Sequence, residues 1–106
     1  MSIPVEIDHL SQTLADFAAG YLVTSDQGRV KVVSAEPVLA DGAFRVAAPG
    51  RGSLANVGVN PEVTLVWPPL EAPGFSLIVD GTAAVDGHDV VITPTGGVLH
   101  KPVGQA

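Results

Sequence analysis

The sequence contains no cysteine, which excludes disulfides, thiolate nucleophiles and cysteine-ligated zinc. Basic residues are scarce too: five Lys and Arg stand against eleven Asp and Glu, for a formal charge of −6. A nucleic-acid partner demands a basic stripe that neutralises phosphates, and an anionic membrane surface makes a similar demand. Neither is expected as a partner. No apolar run approaches the roughly 18–20 residues of a spanning helix. The N-terminal stretch MSIPVEIDHL lacks the basic start of a secretory signal, so a cytoplasmic location is expected. His9, His88 and His100 are scattered, with none at a metal-ligating spacing. No nucleophile elbow, P-loop or dinucleotide fingerprint occurs; GRGSLAN lacks the closing glycine of an elbow.

What the chain does have is apolar character: 46% of its 106 residues are apolar and only 15% charged. That composition predicts a folded single domain over residues 1–106 rather than disorder. It also leaves apolar surface that a homodimer would cover.

Ile7, Leu10, Leu14, Phe17 and Ala18 recur at three- and four-residue steps and predict a helix from about Asp8 to Ala19. Asp8 or Ser11 would cap it and Gly20 would end it. Strand patterns follow in YLVTS, RVKVVSAEPV and AFRVAA, separated by DQG and by the turn pair Asp41-Gly42. They predict an antiparallel meander in which Arg29 and Lys31 share one face and Arg45 lies near them across the ladder. A solvated face, with Glu36 and Asp41 as partners for these cations, is the plainer reading. Phe44 and Val46 alternate with Arg45 as inward and outward positions. A short helix from Leu54 to about Asn60 is predicted next. EVTLVW, FSLIVDGTAAVD and HDVVITP complete six strands, with a bend or bulge at Gly81. The tail from Thr95 reads as irregular. Trp67 reads as a core residue or as a stacking surface for a planar ligand. The predicted class is mainly β: a six-stranded antiparallel split β-barrel with a leading helix and a short helix between strands three and four.

The stretch PGRGSLANVGVNPEV holds the candidate site. Ser53 is placed to cap the short helix, whose free N–H groups and dipole favour an anion. Arg51 adds a fork suited to phosphate oxygens. Gly52 permits close approach, and Asn56 sits one turn on. Lys31 and Arg45 are the strand cations that could join them. The competing reading is a plain cap with solvated arginines.

In order and spacing, the leading helix, YLVTSDQGRVKVVSA, the hairpin into AFRVAA, and the Gly-rich loop entering a helix that ends at Asn60-Pro61 before EVTLVW resemble the pyridoxamine 5'-phosphate oxidase-like family of FMN-binding split β-barrels. The resemblance spans about Ser11 to Val91. It implies a homodimer with a small-molecule cofactor at the interface, FMN or the deazaflavin coenzyme F420, with haem in other relatives. In the flavin-binding members a lysine and a hydroxyl hold the phosphate; this chain has Ser53 and a position near Ala47 there, with Arg51 close by to supply charge. The resemblance thus implies a flavin- or deazaflavin-binding protein of oxidoreductase type. The alternatives are a non-enzymatic dimeric barrel that binds or shields a small ligand, or has lost its cofactor, and a purely structural partner for another protein.

Overall fold

The structure, a computed structural model, describes residues 1–102. The chain opens with a short strand, β1 (Ser2–Val5), and a 3-10 turn at Ile7–His9 that runs into the helix α1 (Leu10–Leu14). The expected helix to Ala19 is therefore cut short. Past Leu14 the chain tightens through Asp16 N–H to Thr13 O (3.1 Å) and Phe17 N–H to Leu14 O (3.0 Å), which are three-residue bonds rather than helical ones. The apolar stripe still does its packing: Leu10 is buried, and Leu14 and Phe17 lean on the core. Neither Asp8 nor Ser11 caps the helix; His9 stands at the cap with no side-chain bond.

Gly20 does not end that helix. It begins β2 (Gly20–Asp26), where a Cβ would lie 2.5 Å from Val66 O and 3.0 Å from Trp67 Cδ1. The strand crosses its neighbour too closely there for any side chain. β2 turns into β3 (Arg29–Ala35) through Gln27 and Gly28, both at positive φ (49° and 83°), as a two-residue hairpin turn requires. Pro37, which lacks an N–H for a ladder, separates β3 from β4 (Val38–Ala40), so the expected strand RVKVVSAEPV becomes two. Asp41 and Gly42, at φ 53° and 80°, form the predicted tight turn into β5 (Ala43–Val46). Helix α2 (Arg51–Val59), β6 (Glu62–Trp67), β7 (Ser76–Asp86) and β8 (Asp89–His100) follow.

Eight strands, rather than six, are present among the described residues, and the sheet runs β3-β2-β6-β7-β8-β5-β4. All pairings are antiparallel. The long β8 pairs with β7 on one side and shares its other side between β5 (Phe44↔Ile92) and β1 (Ser2↔His100). That double support carries β8 through to His100, where the sequence suggested an irregular tail; residues 103–106 of that tail lie outside the described residues. The predicted irregularity at Gly81 is present as a register shift between Asp80 and Gly81. A Cβ on Gly81 would meet Ile92 Cγ2 at 2.6 Å.

The expected meander fails at one joint: β5 pairs with β4 and β8, not with β3. The β4–β5 hairpin crosses to the far end of the sheet, leaving β3 and β4 as its two ends with no ladder between them among the described residues. This gap is the split of the barrel. Alternate residues of β5, β6, β7 and β8 fill the interior, with Phe44 and Trp67 packed at 5.5 Å between ring centres. Trp67 is thus a core residue, and Phe44 and Val46 face inward with Arg45 outward. No helix of the described residues is long and apolar enough to cross a membrane.

Candidate anion site at the start of helix α2

The register of β2 with β3 sets Thr24 opposite Lys31 and Asp26 opposite Arg29. Paired residues in an antiparallel ladder share a face. Thr24 is 1% exposed, so Lys31 and Arg29 stand on the inner face of the hairpin, toward α2. The helix is pinned there by two side chains. Asn56 Nδ2 donates to Thr24 Oγ1 (3.0 Å) and Asn60 Nδ2 to Ser25 Oγ (3.2 Å). The Lys31 stem lies across the first turn of α2: a Cβ on Gly52 would meet Lys31 Cδ and Cε at 2.8 Å. Arg29, Val30, Lys31, Gly52, Ala55 and Asn56 line a cavity of about 420 Å³.

The charges here run against the usual pattern. A helix start carries a partial positive charge and normally attracts Asp or Glu, each worth about 0.3–1 kcal/mol. The first turn of α2 has no acid, begins with Arg51, and has Lys31 laid over it. Its cap is Gly50, at φ 102°, with no side-chain acceptor. The first amides therefore have no side-chain acceptor of their own. Among the described residues only Arg45 forms ion pairs, with Asp86 (2.7 Å) and Asp89 (3.0 Å). Arg29, Lys31 and Arg51 thus gather around one helix start without a carboxylate partner, in a chain of net charge −6. Two cations on the cavity wall, Arg29 and Lys31, with Arg51 beside it, unused amides and a glycine whose missing side chain leaves room for Lys31 suit a phosphate. They offer no nucleophile or general base, and no group of three or more metal-ligating side chains exists among the described residues.

No model of an established domain family matches the chain. Two curated relatives do: uncharacterised proteins of Mycobacterium bovis and Mycobacterium tuberculosis, each 38% identical over 114 aligned positions that span 92% of this chain and 80% of theirs. Among solved structures, the FAD-binding protein of Mycobacterium smegmatis superposes with a TM-score of 0.69 at 19% identity, covering 95% of this chain and 100% of that one. A Corynebacterium glutamicum protein provisionally assigned as a pyridoxamine 5'-phosphate oxidase gives 0.69 at 14% identity, covering 96% and 100%. A FAD-binding protein of Mesorhizobium loti gives 0.63 at 16%, covering 95% and 98%. The chain belongs to one family with the two mycobacterial proteins, and its fold is the split barrel of these solved structures.

Within this split barrel the predicted site residues separate into three groups. Lys31, Gly52 and Asn56 come together on the cavity wall, joined by Arg29. Arg29 was absent from the predicted set, although the alternation that placed Lys31 places it as well. Arg51 is the first helical residue and is exposed, beside the cavity rather than in its wall.

Ser53 and Arg45 fall elsewhere. The helix starts three residues earlier than Leu54, so Ser53 is no cap. It is the third helical residue, 0% exposed, and its hydroxyl has no partner. Arg45 is on β5, beyond β8 in the sheet, and is committed to Asp86 and Asp89 rather than to Glu36 or Asp41. Its pairing holds it above the ordinary arginine value, chiefly through the Asp86 hydrogen bond. Two further depressions, of about 480 and 660 Å³, follow the split and share Glu36, Val38 and Ala47. The one charged donor in their walls is this neutralised Arg45, so neither is the better anion site.

Proposed function

We propose that this split barrel is a homodimeric oxidoreductase that binds a phosphate-bearing flavin or deazaflavin, drawn from FMN, FAD and coenzyme F420. The observation that carries the reading is the set of unpaired cations, Arg29, Lys31 and Arg51, at an acid-free helix start. Arg29 and Lys31 would hold the phosphate oxygens, with the open amides of α2 completing the cradle. Asn56, tied to Thr24, fixes the helix so that those amides stay aimed. The FAD-binding neighbours in M. smegmatis and M. loti support a flavin as the ligand class. When bound, such a cofactor supplies the hydride or electron chemistry itself, which accords with a site that offers donors and no nucleophile.

The homodimer rests on the outer face of the sheet. Tyr21, Val30 and Val32 are 44%, 65% and 56% exposed on neighbouring strands. The ladder continues that apolar face through Val66, Ile78 and Val98.

Titration of the purified chain with FMN, FAD and F420, followed by fluorescence, tests the proposal. Binding at micromolar concentration or below is expected for one of them. The double variant R29A/K31A should weaken it about 10–100-fold, the loss of one to two charge-assisted bonds. No binding of any of the three at about 1 mM, some 4 kcal/mol, removes the reading. The second reading, a barrel that holds a ligand without turning it over, draws on Ser53: a buried serine stands where the resemblance implies a phosphate-holding lysine. A bound cofactor that cycles with a nicotinamide hydride donor favours the oxidoreductase, and one that binds without cycling favours the carrier.

A further inference from the structure

We propose that Asp89 is a positioning residue for the anion site: it fastens the turn from which α2 departs. The inference rests on the site reading above for its ligand, and on geometry alone for the fastening. Asp89 is the first residue of β8 and uses both carboxylate oxygens. Oδ1 accepts the Ala48 N–H at 3.1 Å and Oδ2 accepts Arg45 Nη1 at 3.0 Å. Arg45 extends its other nitrogen, Nη2, to Asp86 Oδ2 at 2.7 Å. Asp86 and Asp89 face each other across the β7–β8 turn. One guanidinium thus spans that turn and braces the carboxylate that holds Ala48.

Ala48 matters because of its backbone. Its φ is +42°, a left-handed value that a residue with a Cβ seldom adopts without outside support. Two residues on, Gly50 is at φ 102° and α2 begins. These two reversals bend the chain out of β5 and aim the first amides of the helix. No side chain caps α2, so its start is not fixed from within the helix. The helix has two kinds of side-chain tether: Asn56 and Asn60 to β2 along its body, and Asp89 to the turn before it. The Asp89 carboxyl is held below the ordinary aspartate range, first by the Ala48 N–H and then by Arg45. The titratable groups around it are Arg45, Asp86 and His88.

The test compares D89A, D89N and D86N in the full chain, with amide hydrogen exchange read at Ala48 and at Leu54, whose N–H bonds Gly50 O at 3.0 Å in the first turn of α2, and with FMN as the probe ligand. D89A should speed exchange at those amides at least tenfold and weaken FMN at least fivefold, with amides of β6 and β7 unchanged. D89N retains an oxygen for the Ala48 N–H and should recover part of both effects. D86N leaves the Ala48 bond in place and should behave as wild type in both. Unchanged exchange in D89A overturns the proposal, as does a loosening spread evenly over the whole sheet. If D89A does not fold, D89N decides: exchange at Ala48 equal to wild type, with FMN affinity also equal, overturns it. If wild-type chain binds no FMN, the ligand reading falls, and the exchange comparison alone decides whether Asp89 holds the helix start.

Discussion

Lys31 and Gly52 behave as one unit, because the lysine stem occupies the space that a side chain at position 52 would need. Alanine at 52 is the better helix former by about 1 kcal/mol, yet its Cβ would push aside a flexible lysine rather than backbone. G52A is therefore expected to keep or raise stability by up to about 1 kcal/mol in urea unfolding, while anion affinity falls several-fold in titration. The two readouts move in opposite directions only if Lys31 serves the ligand. Ser53 gives a contrasting case. Its hydroxyl is buried and unpaired, a state that costs about 1–3 kcal/mol of desolvation. S53A should stabilise the chain by about 1 kcal/mol in urea and leave cofactor affinity unchanged; a weakened affinity would return Ser53 to the site.

Asp89 carries a pH consequence. Its folded pKa lies below the unfolded value, so its contribution is fully present above the ordinary aspartate range and is lost as pH falls through the depressed value. Stability and affinity due to the clamp should be level from neutral pH to about pH 4–5 and decline below that. Urea midpoints across that range check it, with D89N showing a shallower decline than wild type.

At the scale of elements, α2 depends on the hairpin beneath it. Thr24 is 1% exposed and its hydroxyl accepts from Asn56. N56A should cost about 1–3 kcal/mol, since a buried hydroxyl loses its partner. A double cycle with Thr24→Ala should recover about 1 kcal/mol of coupling in urea unfolding. This contact links two elements 32 residues apart in sequence, and that distance marks where the sequence stopped being readable. Period-two alternation put Phe44 and Val46 on one face with Arg45 on the other, and put Arg29 with Lys31, because residues two apart on a strand share a face. Asp41-Gly42 declared its turn through the same local chemistry. β1 was missed because SIPV has no strand signal of its own and is made a strand by Ser2↔His100, at the opposite end of the chain. Arg45 was assigned to the wrong company for the same reason: alternation gives its face, while its neighbour depends on Pro37 breaking β3 from β4 and sending the hairpin to β8. Ser53 was misplaced by a cap rule that looked for a side chain, where the turn is made by the backbone of Ala48 and Gly50.

The whole molecule has one face that its own chain leaves uncovered. Val30 and Val32 alternate along β3, an end strand whose outer edge has no ladder partner among the described residues. Tyr21 lies on β2 beside them, on the same outer face. A stable symmetric pair buries about 800 Å² on each partner, roughly an eighth of this chain's 6192 Å². Val30 also lines the anion cavity, between Arg29 and Lys31 in sequence. The proposed dimer contact and the proposed ligand therefore meet on one strand: its outward residues would seat the second copy, and its inward ones the phosphate. Val32→Glu places a charge in the centre of the proposed contact and leaves Arg29 and Lys31 in place. Sedimentation should show a dimer for wild type and a monomer for the variant, with circular dichroism of the two alike. Cofactor affinity should fall as dimerisation is lost, because the edge strand that carries both cations loses its support. A variant that is monomeric yet binds as tightly as wild type would place the entire site within one barrel, and a wild-type chain that is monomeric at about 100 μM, where even a weak pair of some 6 kcal/mol would be well populated, would leave the apolar face to another partner.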